Sequence, residues 1–152
     1  MRVYRLSKEK YKDDLSGAGA EKFGGRWNNK GTRMVYTADS RALAKLEVAV
    51  NLALHRIPKN YFLAIIELPD TEVVDYDIKL LKGKQWKNNP PIKFTQSEGD
   101  YFVASGKYLA LKVPSAVVEG DYNYIINPAH PKITKLKIVS TEKFSFDMRL
   151  FR

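Results

Sequence analysis

Alternating apolar and polar residues predict strands near the N-terminus, and longer apolar runs predict more strands downstream. RVYRL (2–6) and RMVYTA (33–38) alternate as half-buried strands do. YFLAIIEL (61–68) predicts a continuous apolar strand, and alternation returns in EVVDYD (72–77). Further strands are predicted in YLALKVPSAVV (108–118), NYIINP (123–128), ITKLKIVS (133–140) and KFSFDMRLF (143–151).

The clearest helix is predicted at about 39–56, where Asp39 and Ser40 offer N-terminal caps and Pro58 follows the end. This segment is rich in Ala, Val and Leu, so we expect the helix to be buried on most sides. From Ile78 to Gly99 the sequence is polar and predicts a loop around its Asn-Pro-Pro. Since no repeat, linker or break in composition is visible, the pattern predicts a single compact α+β domain over 1–152 with mixed β-sheets.

The amino-acid composition excludes several classes of protein. The chain has no cysteine and two histidines, which excludes disulfides and thiolate chemistry and leaves little scope for a metal site. No apolar run approaches the roughly 18 residues of a membrane span, and the N-terminus lacks the apolar segment of a signal peptide. We therefore expect a cytoplasmic protein that does not bind membranes.

The formal net charge of +9 indicates which kinds of partner the protein could bind. Such a charge favours nucleic acid, an acidic partner or a phosphate-bearing small molecule. The lysines are scattered, and neither helix-turn-helix nor zinc-finger spacing is visible. Nucleic-acid binding and a merely solvated basic surface both remain open on charge alone.

Glu47 interrupts an apolar face of the predicted helix. Leu43, Val50 and Leu54 share that face at helical spacing. An ionised carboxylate in apolar surroundings is costly unless it is paired or opens onto a polar cavity. Two interpretations follow: a glutamate that reaches solvent at the helix edge, or a carboxylate in a cleft, supported by Asn51, whose charge acts on a substrate.

Arg26 lies in an unusual segment, KFGGRWNNKG (22–31). Gly24 and Gly25 permit close approach of another group to the backbone, and a guanidinium suits phosphate or carboxylate. A strand follows, rather than the helix that a phosphate-binding glycine loop requires. The alternative is an arginine paired with a surface acid. For Tyr36 the alternatives are a core tyrosine and a ring that stacks on a planar ligand.

Two downstream segments carry weaker signals. Ser115 follows a proline at a predicted strand end, where a hydroxyl can face a cleft, although no histidine base is nearby in sequence. NYIINPAHP (123–131) places Asn127 and His130 in a rigid turn, and for His130 a structural role in the turn is favoured over catalysis.

The chain resembles the RES domain in six segments that occur in the family's order. The likeness runs from Tyr4 to Leu150. The family is named for its Arg, Glu and Ser, supplies toxins to Xre–RES toxin–antitoxin modules and is similar in fold to ADP-ribosyltransferases. The six segments are GGRWN (24–28), VYTA (35–38), LAKLEVAVN (43–51), VPSAVV (113–118), NYIINPAHP (123–131) and FSFDMRL (144–150).

The resemblance implies an enzyme that depletes the cell's NAD by cleaving the nicotinamide–ribose bond. The family's arginine, tyrosine and glutamate match Arg26, Tyr36 and Glu47. Its serine matches Ser115, with Ser105 as the alternative. In the segment before that serine, where the family often has Trp, this chain has Tyr101 and Phe102.

The resemblance also implies roles for these residues. Arg26 would hold the pyrophosphate of NAD, and Tyr36 would pack against the nicotinamide or its ribose. Glu47 would stabilise oxocarbenium-like charge or hold the ribose hydroxyls, and Ser115 would be a positioning hydrogen-bond partner. The expected NAD-binding set also includes Trp27 and Asn127.

NAD is implied as a substrate, with no cofactor and no metal, and the acceptor is water, inorganic phosphate or a protein side chain. Expected partners are an Xre-type antitoxin and, as an option, a second copy in a homodimer, without direct nucleic-acid contact. Two alternatives stay open: an ADP-ribosyltransferase that modifies a protein target, and a basic nucleic-acid-binding or interaction module without catalysis.

Overall fold

The computed structural model of the protein describes residues 1–52 and 58–151, and this part of the chain forms seven strands and three α-helices. The strands are β1 (Arg2–Lys8), β2 (Val35–Ala38), β3 (Tyr61–Glu67), β4 (Val73–Asp75), β5 (Ala110–Pro114), β6 (Tyr122–Ile126) and β7 (Lys137–Phe144). The helices are α1 (Ala18–Phe23), α2 (Arg41–Ala49) and α3 (Lys93–Ser105). Short 3-10 turns occupy Glu9–Tyr11, Asp70–Glu72, Ile78–Leu81, Pro131–Lys135 and Met148–Phe151.

All seven strands join one mixed sheet in the order β4-β5-β6-β2-β1-β3-β7. The β4–β5 pair is parallel, and the other pairs are antiparallel. In the centre of the sheet, Asn123 of β6 pairs with Ala38 of β2 on one side and Val113 of β5 on the other. This register brings the end of β5 and the start of β6 next to the turn that leads into α2.

Helix α2 begins as predicted but is less buried than expected. The Ser40 hydroxyl caps it by accepting a hydrogen bond from the Leu43 N–H at 3.0 Å. Within α2 only Leu43 and Ala44 are buried, and Val50 just beyond it is 59% exposed. The expectation of burial on most sides is wrong because one side of α2 borders an open cleft. Leu54, expected on the apolar face, lies outside the described residues.

Helix α3 begins within the polar segment that was predicted to contain a loop, Ile78 to Gly99, and ends at Ser105, in a stretch for which no element was predicted. Thr95, Gly99 and Phe102, four and three residues apart, form its buried stripe. A Cβ on Gly99 would overlap the Trp27 carbonyl oxygen, so glycine lets the helix pack directly on the main chain of the 24–28 segment. The polar composition concealed this helix because it buries a narrow stripe of small residues and one aromatic ring.

The C-terminal segment also differs from the prediction. KFSFDMRLF (143–151) contributes only its first two residues to β7 and then forms the 3-10 turn. Phe146 is buried beside Tyr61, Phe144 and Phe151, at ring-centroid distances of 5.3–5.7 Å. Aromatic packing, rather than strand pairing, therefore orders this end of the chain.

Candidate active site

A cleft of about 870 Å³ lies where α1, α2 and several loops meet the centre of the sheet. A volume of this size is typical of small-molecule sites. The cleft is lined by residues from β1, α1, the 24–27 loop, β2, α2, the 87–91 loop and the β5–β6 region. Arg26, Tyr36 and Glu47, which the sequence predicts as site residues, all line it.

The carboxylate of Glu47 is held by two side chains from the β5–β6 region. Ser115 donates its hydroxyl proton to Glu47 Oε1 at 2.9 Å, and the Asn123 amide donates to the same oxygen at 2.6 Å. Ser115 Oγ in turn accepts from the N–H groups of Val117 and Val118, both at 3.0 Å. Since both bonds from the described residues fall on Oε1, they orient the carboxylate without using Oε2.

This geometry excludes one of the two interpretations of Glu47, a glutamate that reaches solvent at the helix edge. The side chain is half-buried and hydrogen-bonded inside the cleft, rather than extended into solvent at a helix edge. Asn51 donates to the main-chain carbonyl of Glu47 at 2.9 Å, so it supports the end of the helix and not the carboxylate. The arrangement presents a fixed negative charge to a ligand.

Arg26 is anchored to a loop 60 residues away. Its Nη1 donates to the carbonyl oxygens of Trp86 at 2.6 Å and Asn88 at 2.9 Å. Partial burial lowers the pKa of Arg26, while the charge of Glu47 acts in the opposite direction, and an arginine stays cationic at neutral pH. Within the described part of the chain both bonds use Nη1, so Nη2 and Nε keep the planar fork that suits phosphate.

Gly25 makes room for a neighbour within the protein itself. A Cβ at this position would lie 2.6 Å from the Tyr36 hydroxyl oxygen. That hydroxyl donates to Asn28 Oδ1 at 2.7 Å and accepts from the Trp27 N–H at 2.9 Å. Burial raises the pKa of Tyr36 well above its ordinary value, so the phenol stays neutral. The Tyr36 hydroxyl thus holds the loop that carries Arg26, and Tyr36 also lines the cleft.

Trp27 has a different role from the one expected. It borders the cleft but is only 2% exposed, and its ring packs edge-on against Tyr76 at a centroid distance of 4.9 Å. The indole is therefore an anchor in the core beneath the loop, with little surface to offer a ligand.

Asn127 and Ser105 do not line the cleft, and each is engaged in hydrogen bonds with main-chain groups elsewhere. Asn127 is 1% exposed, donates to the Val103 carbonyl at 3.2 Å and accepts from the Ala129 N–H at 3.0 Å. Ser105 donates to the Phe102 carbonyl at the end of α3. The structure therefore does not bring Asn127 into the expected NAD-binding set, and of the two serines only Ser115 reaches Glu47.

The other aromatic and turn residues named from the sequence also lie outside the cleft lining. Tyr101 is 75% exposed on α3 and Phe102 is buried in the core, so neither residue that stands in place of the family's Trp lines the cleft. His130 is buried, and its Nδ1 accepts from the Lys132 N–H at 3.1 Å, which is the favoured structural role in the turn.

Sequence patterns missed Asn123 and the carbonyls of Trp86 and Asn88. Asn123 carries one weak signal in the sequence, an amide within the otherwise apolar and aromatic segment YNYII (122–126). The two carbonyls carry none, because every residue has one. Within residues 1–52 and 58–151, no cluster of three His, Asp or Glu side chains could hold a metal ion, and no helix is long and apolar enough to cross a bilayer.

Comparison with known structures first identifies the class of fold. The chain is similar to one in the crystal structure of the M. tuberculosis MbcT–MbcA toxin–antitoxin complex. The TM-score is 0.69 at 22% identity, and the match covers 99% of this chain and 86% of the other. The mixed sheet and its helices therefore form a fold that is also found in a toxin–antitoxin complex.

Sequence comparison then identifies the family. The model of the RES domain matches residues 2–147. The Prs ADP-ribosylating toxin of Sphingobium sp. (strain YBL2) is 40% identical over 144 residues, 92% of this chain and 88% of the relative. Toxin Res of Yersinia enterocolitica is 36% identical over 156 residues, 99% of each. The chain belongs to the RES-domain family of toxins.

Proposed function

We propose that this protein is an enzymatic toxin that binds NAD in the cleft and breaks the bond between nicotinamide and ribose. The observation that carries this proposal is the Glu47 carboxylate, fixed through one oxygen in the cleft that Arg26 also lines. A cation for the pyrophosphate and an anion for the reacting ribose are the two charges that the reaction requires.

Arg26 binds the pyrophosphate through Nη2 and Nε, since Nη1 is engaged by the two loop carbonyls. Tyr36 packs its ring against the nicotinamide or its ribose. The network from Tyr36 through Asn28 and Trp27 holds the loop before substrate arrives, which reduces the ordering cost of binding.

Glu47 acts on the bond that breaks. As the ribose carbon separates from the nicotinamide nitrogen, the bonding electron pair leaves with nicotinamide, which becomes neutral, and positive charge develops on the ribose. The oriented carboxylate stabilises that charge or holds the ribose hydroxyls. An acceptor atom then bonds to the ribose carbon, and any proton that this atom carries passes to water. No strong general acid is required for the departure of nicotinamide.

The acceptor distinguishes two versions of this function. Water or inorganic phosphate as acceptor makes the protein an NAD-depleting enzyme. Transfer to a protein side chain is the second candidate, and it is supported by the 40% identical relative named an ADP-ribosylating toxin. The same cleft and the same two charges serve either version, because the bond that breaks is the same.

The test is release of nicotinamide from NAD by the purified protein, followed by chromatography. Three parallel arms contain buffer alone, inorganic phosphate, or a soluble protein extract with labelled NAD. Free ADP-ribose identifies water as acceptor, a phosphorylated ADP-ribose identifies phosphate, and labelled protein bands identify transfer. Absence of nicotinamide release in all three arms, with the protein folded, would contradict the proposal and favour the non-catalytic alternatives.

An antitoxin partner is part of the proposal, because an uninhibited enzyme that depletes NAD would harm the cell that produces it. The fold neighbour comes from a toxin–antitoxin complex, and the family resemblance implies an antitoxin of the Xre type. Arg26 in the cleft and the net charge of +9 favour an acidic or carboxylate-ended antitoxin segment at the cleft mouth. Homodimer formation and the lack of direct nucleic-acid binding remain predictions.

Competition tests this mode of inhibition. A non-cleavable NAD analogue should weaken antitoxin binding, and the antitoxin should block nicotinamide release. Tight antitoxin binding with unchanged NAD turnover would exclude the cleft as the inhibited site.

A further inference from the structure

Asn123 is an amide within an apolar strand, and it contacts the side chain on which the proposed chemistry depends. Its Nδ2 lies 2.6 Å from Glu47 Oε1, a contact between residues 76 positions apart. Ser115, the other donor to this oxygen, is 2% exposed, whereas Asn123 is half-buried and lines the cleft. Asn123 therefore borders both the carboxylate and the space for a ligand.

The orientation of this amide follows from the charge of its partner. A side-chain oxygen of Asn123 placed 2.6 Å from a carboxylate oxygen would bring two acceptors together, which is repulsive. The Nδ2 group must face Glu47 instead, as it does. Hydrogen bonds from a neutral donor to a carboxylate are shorter and stronger than those between neutral groups.

The two donors reach Glu47 from separate supports. Ser115 is held by the N–H groups of Val117 and Val118, whereas Asn123 is fixed by strand pairing with Ala38 and Val113. The last torsion of a glutamate side chain has a broad energy profile, so one donor alone leaves the carboxylate free to swing. Two donors on one oxygen restrict that motion and with it the direction of Oε2.

We propose that Asn123 is a positioning residue for NAD cleavage, which acts by locking Oε1 of Glu47 so that Oε2 is directed at the ribose. This inference rests on the proposed function, because positioning matters only if the carboxylate acts on a bound substrate. Asn123 aligns the carboxylate for the transition state and adds little to ground-state binding, so its contribution lies in kcat.

Two substitutions separate hydrogen bonding from the filling of space. N123A removes the amide, and N123D keeps its shape but replaces the donor with a second carboxylate. We expect N123A to lower kcat for nicotinamide release about 10- to 100-fold, as for loss of a hydrogen bond to a charged group. N123D should lose more than N123A, and KM should change less than about threefold in both variants. If Asn123 only fills space, the order reverses, because aspartate preserves its volume.

Asn51→Asp is the matched control for added charge. The Asn51 amide donates to the main-chain carbonyl of Glu47 at 2.9 Å, so the substitution adds a negative charge two residues beyond the end of α2 and leaves both bonds to the carboxylate. Its loss in kcat should be at least about tenfold smaller than that of N123D. Equal losses in the two variants would overturn the positioning role.

Nuclear magnetic resonance reports the contact without turnover. A side-chain amide proton of Asn123 that is bonded to a carboxylate should resonate downfield, and Glu47→Ala should remove that shift. An unshifted resonance in the wild type, or a loss confined to KM in both Asn123 variants, overturns the inference. A wild type that shows the shifted resonance but releases no nicotinamide overturns the proposed function and leaves the contact established.

Discussion

The two sides of the cleft are built in different ways. On the carboxylate side, defined by Glu47, Ser115 and Asn123, functional atoms are joined directly by side-chain hydrogen bonds on a helix and the β5–β6 region. On the arginine side, defined by Arg26, Gly25 and Tyr36, a loop is held largely through main-chain groups.

This difference predicts how substitutions on each side act. On the carboxylate side, a side chain can be altered without changing the course of the backbone, so substitutions should affect the chemical step. On the arginine side, the side chains of Arg26 and Tyr36 also hold the loop in place through their bonds to main-chain groups. Substitutions there should therefore affect both NAD binding and stability.

The largest effect is expected for Glu47→Gln, which should lower NAD cleavage about 10³-fold or more. The amide oxygen of glutamine still accepts from Ser115 and Asn123, so the fold is retained while the charge is lost. Nicotinamide release and thermal unfolding measure the two quantities, and Tm should stay equal or rise. Glu119→Gln, an exposed glutamate, is the control and should keep wild-type turnover. Near wild-type turnover in Glu47→Gln would remove Glu47 from the mechanism.

Gly25→Ala should damage the arginine side through its structure. The new Cβ would lie 2.6 Å from the Tyr36 hydroxyl oxygen and 2.9 Å from Asn28 Oδ1, so the network must shift. We expect a loss of about 1–3 kcal/mol in the free energy of unfolding, as in other overpacked sites, together with a raised KM. Denaturant unfolding and steady-state kinetics check both effects.

Gly19→Ala is the matched control for Gly25→Ala. A Cβ at Gly19 meets nothing within 4 Å, and helix α1 gains helical propensity, so stability should hold or rise by up to about 1 kcal/mol. Equal destabilisation by the two alanines would show that the contact with Tyr36 is not the cause.

Arg26→Lys should raise KM for NAD about tenfold and Arg26→Ala should raise it further. A lysine cannot bridge the carbonyls of Trp86 and Asn88 and also present a planar fork to phosphate. Arg33→Lys, at an exposed ion pair with Glu21, is the control and should leave KM unchanged. Full recovery of NAD affinity by lysine would reduce the role of Arg26 to its charge.

The smallest effect is expected for a substitution of the buried Glu72, which does not line the cleft. Its hydrogen bond with Lys132 at 2.7 Å lowers the pKa of Glu72. Because the pKa of Glu72 is lower in the folded state, its ionised form stabilises the protein at any pH above the unfolded-state pKa of about 4.3. This stabilisation is lost as the pH falls through the folded-state pKa. Glu72→Gln should therefore lower Tm by a few degrees at pH 7, and the difference should close below about pH 4. The exposed Glu67→Gln should show no such convergence.

Local pattern determined much of the fold. Alternation and apolar runs located the strands, and Ser40 marked the beginning of α2, because side-chain period and capping depend on near neighbours. The failures were equally local: α3 buries too narrow a stripe to show in composition, and α2 is apolar on a side that faces the cleft. Periodicity identifies which residues share a face but not what covers that face.

The sequence by itself supplied the kinds of chemical group for a site: an arginine beside glycines, a glutamate on an apolar face and a serine at a strand end. The tertiary structure decided which of them meet. Glu47 bonds with Ser115 and Asn123 across 68 and 76 residues, while Asn127 is held elsewhere by its own turn. The physical reason is that strand order and register place distant residues within hydrogen-bond distance, and neither follows from the neighbours of a residue along the chain.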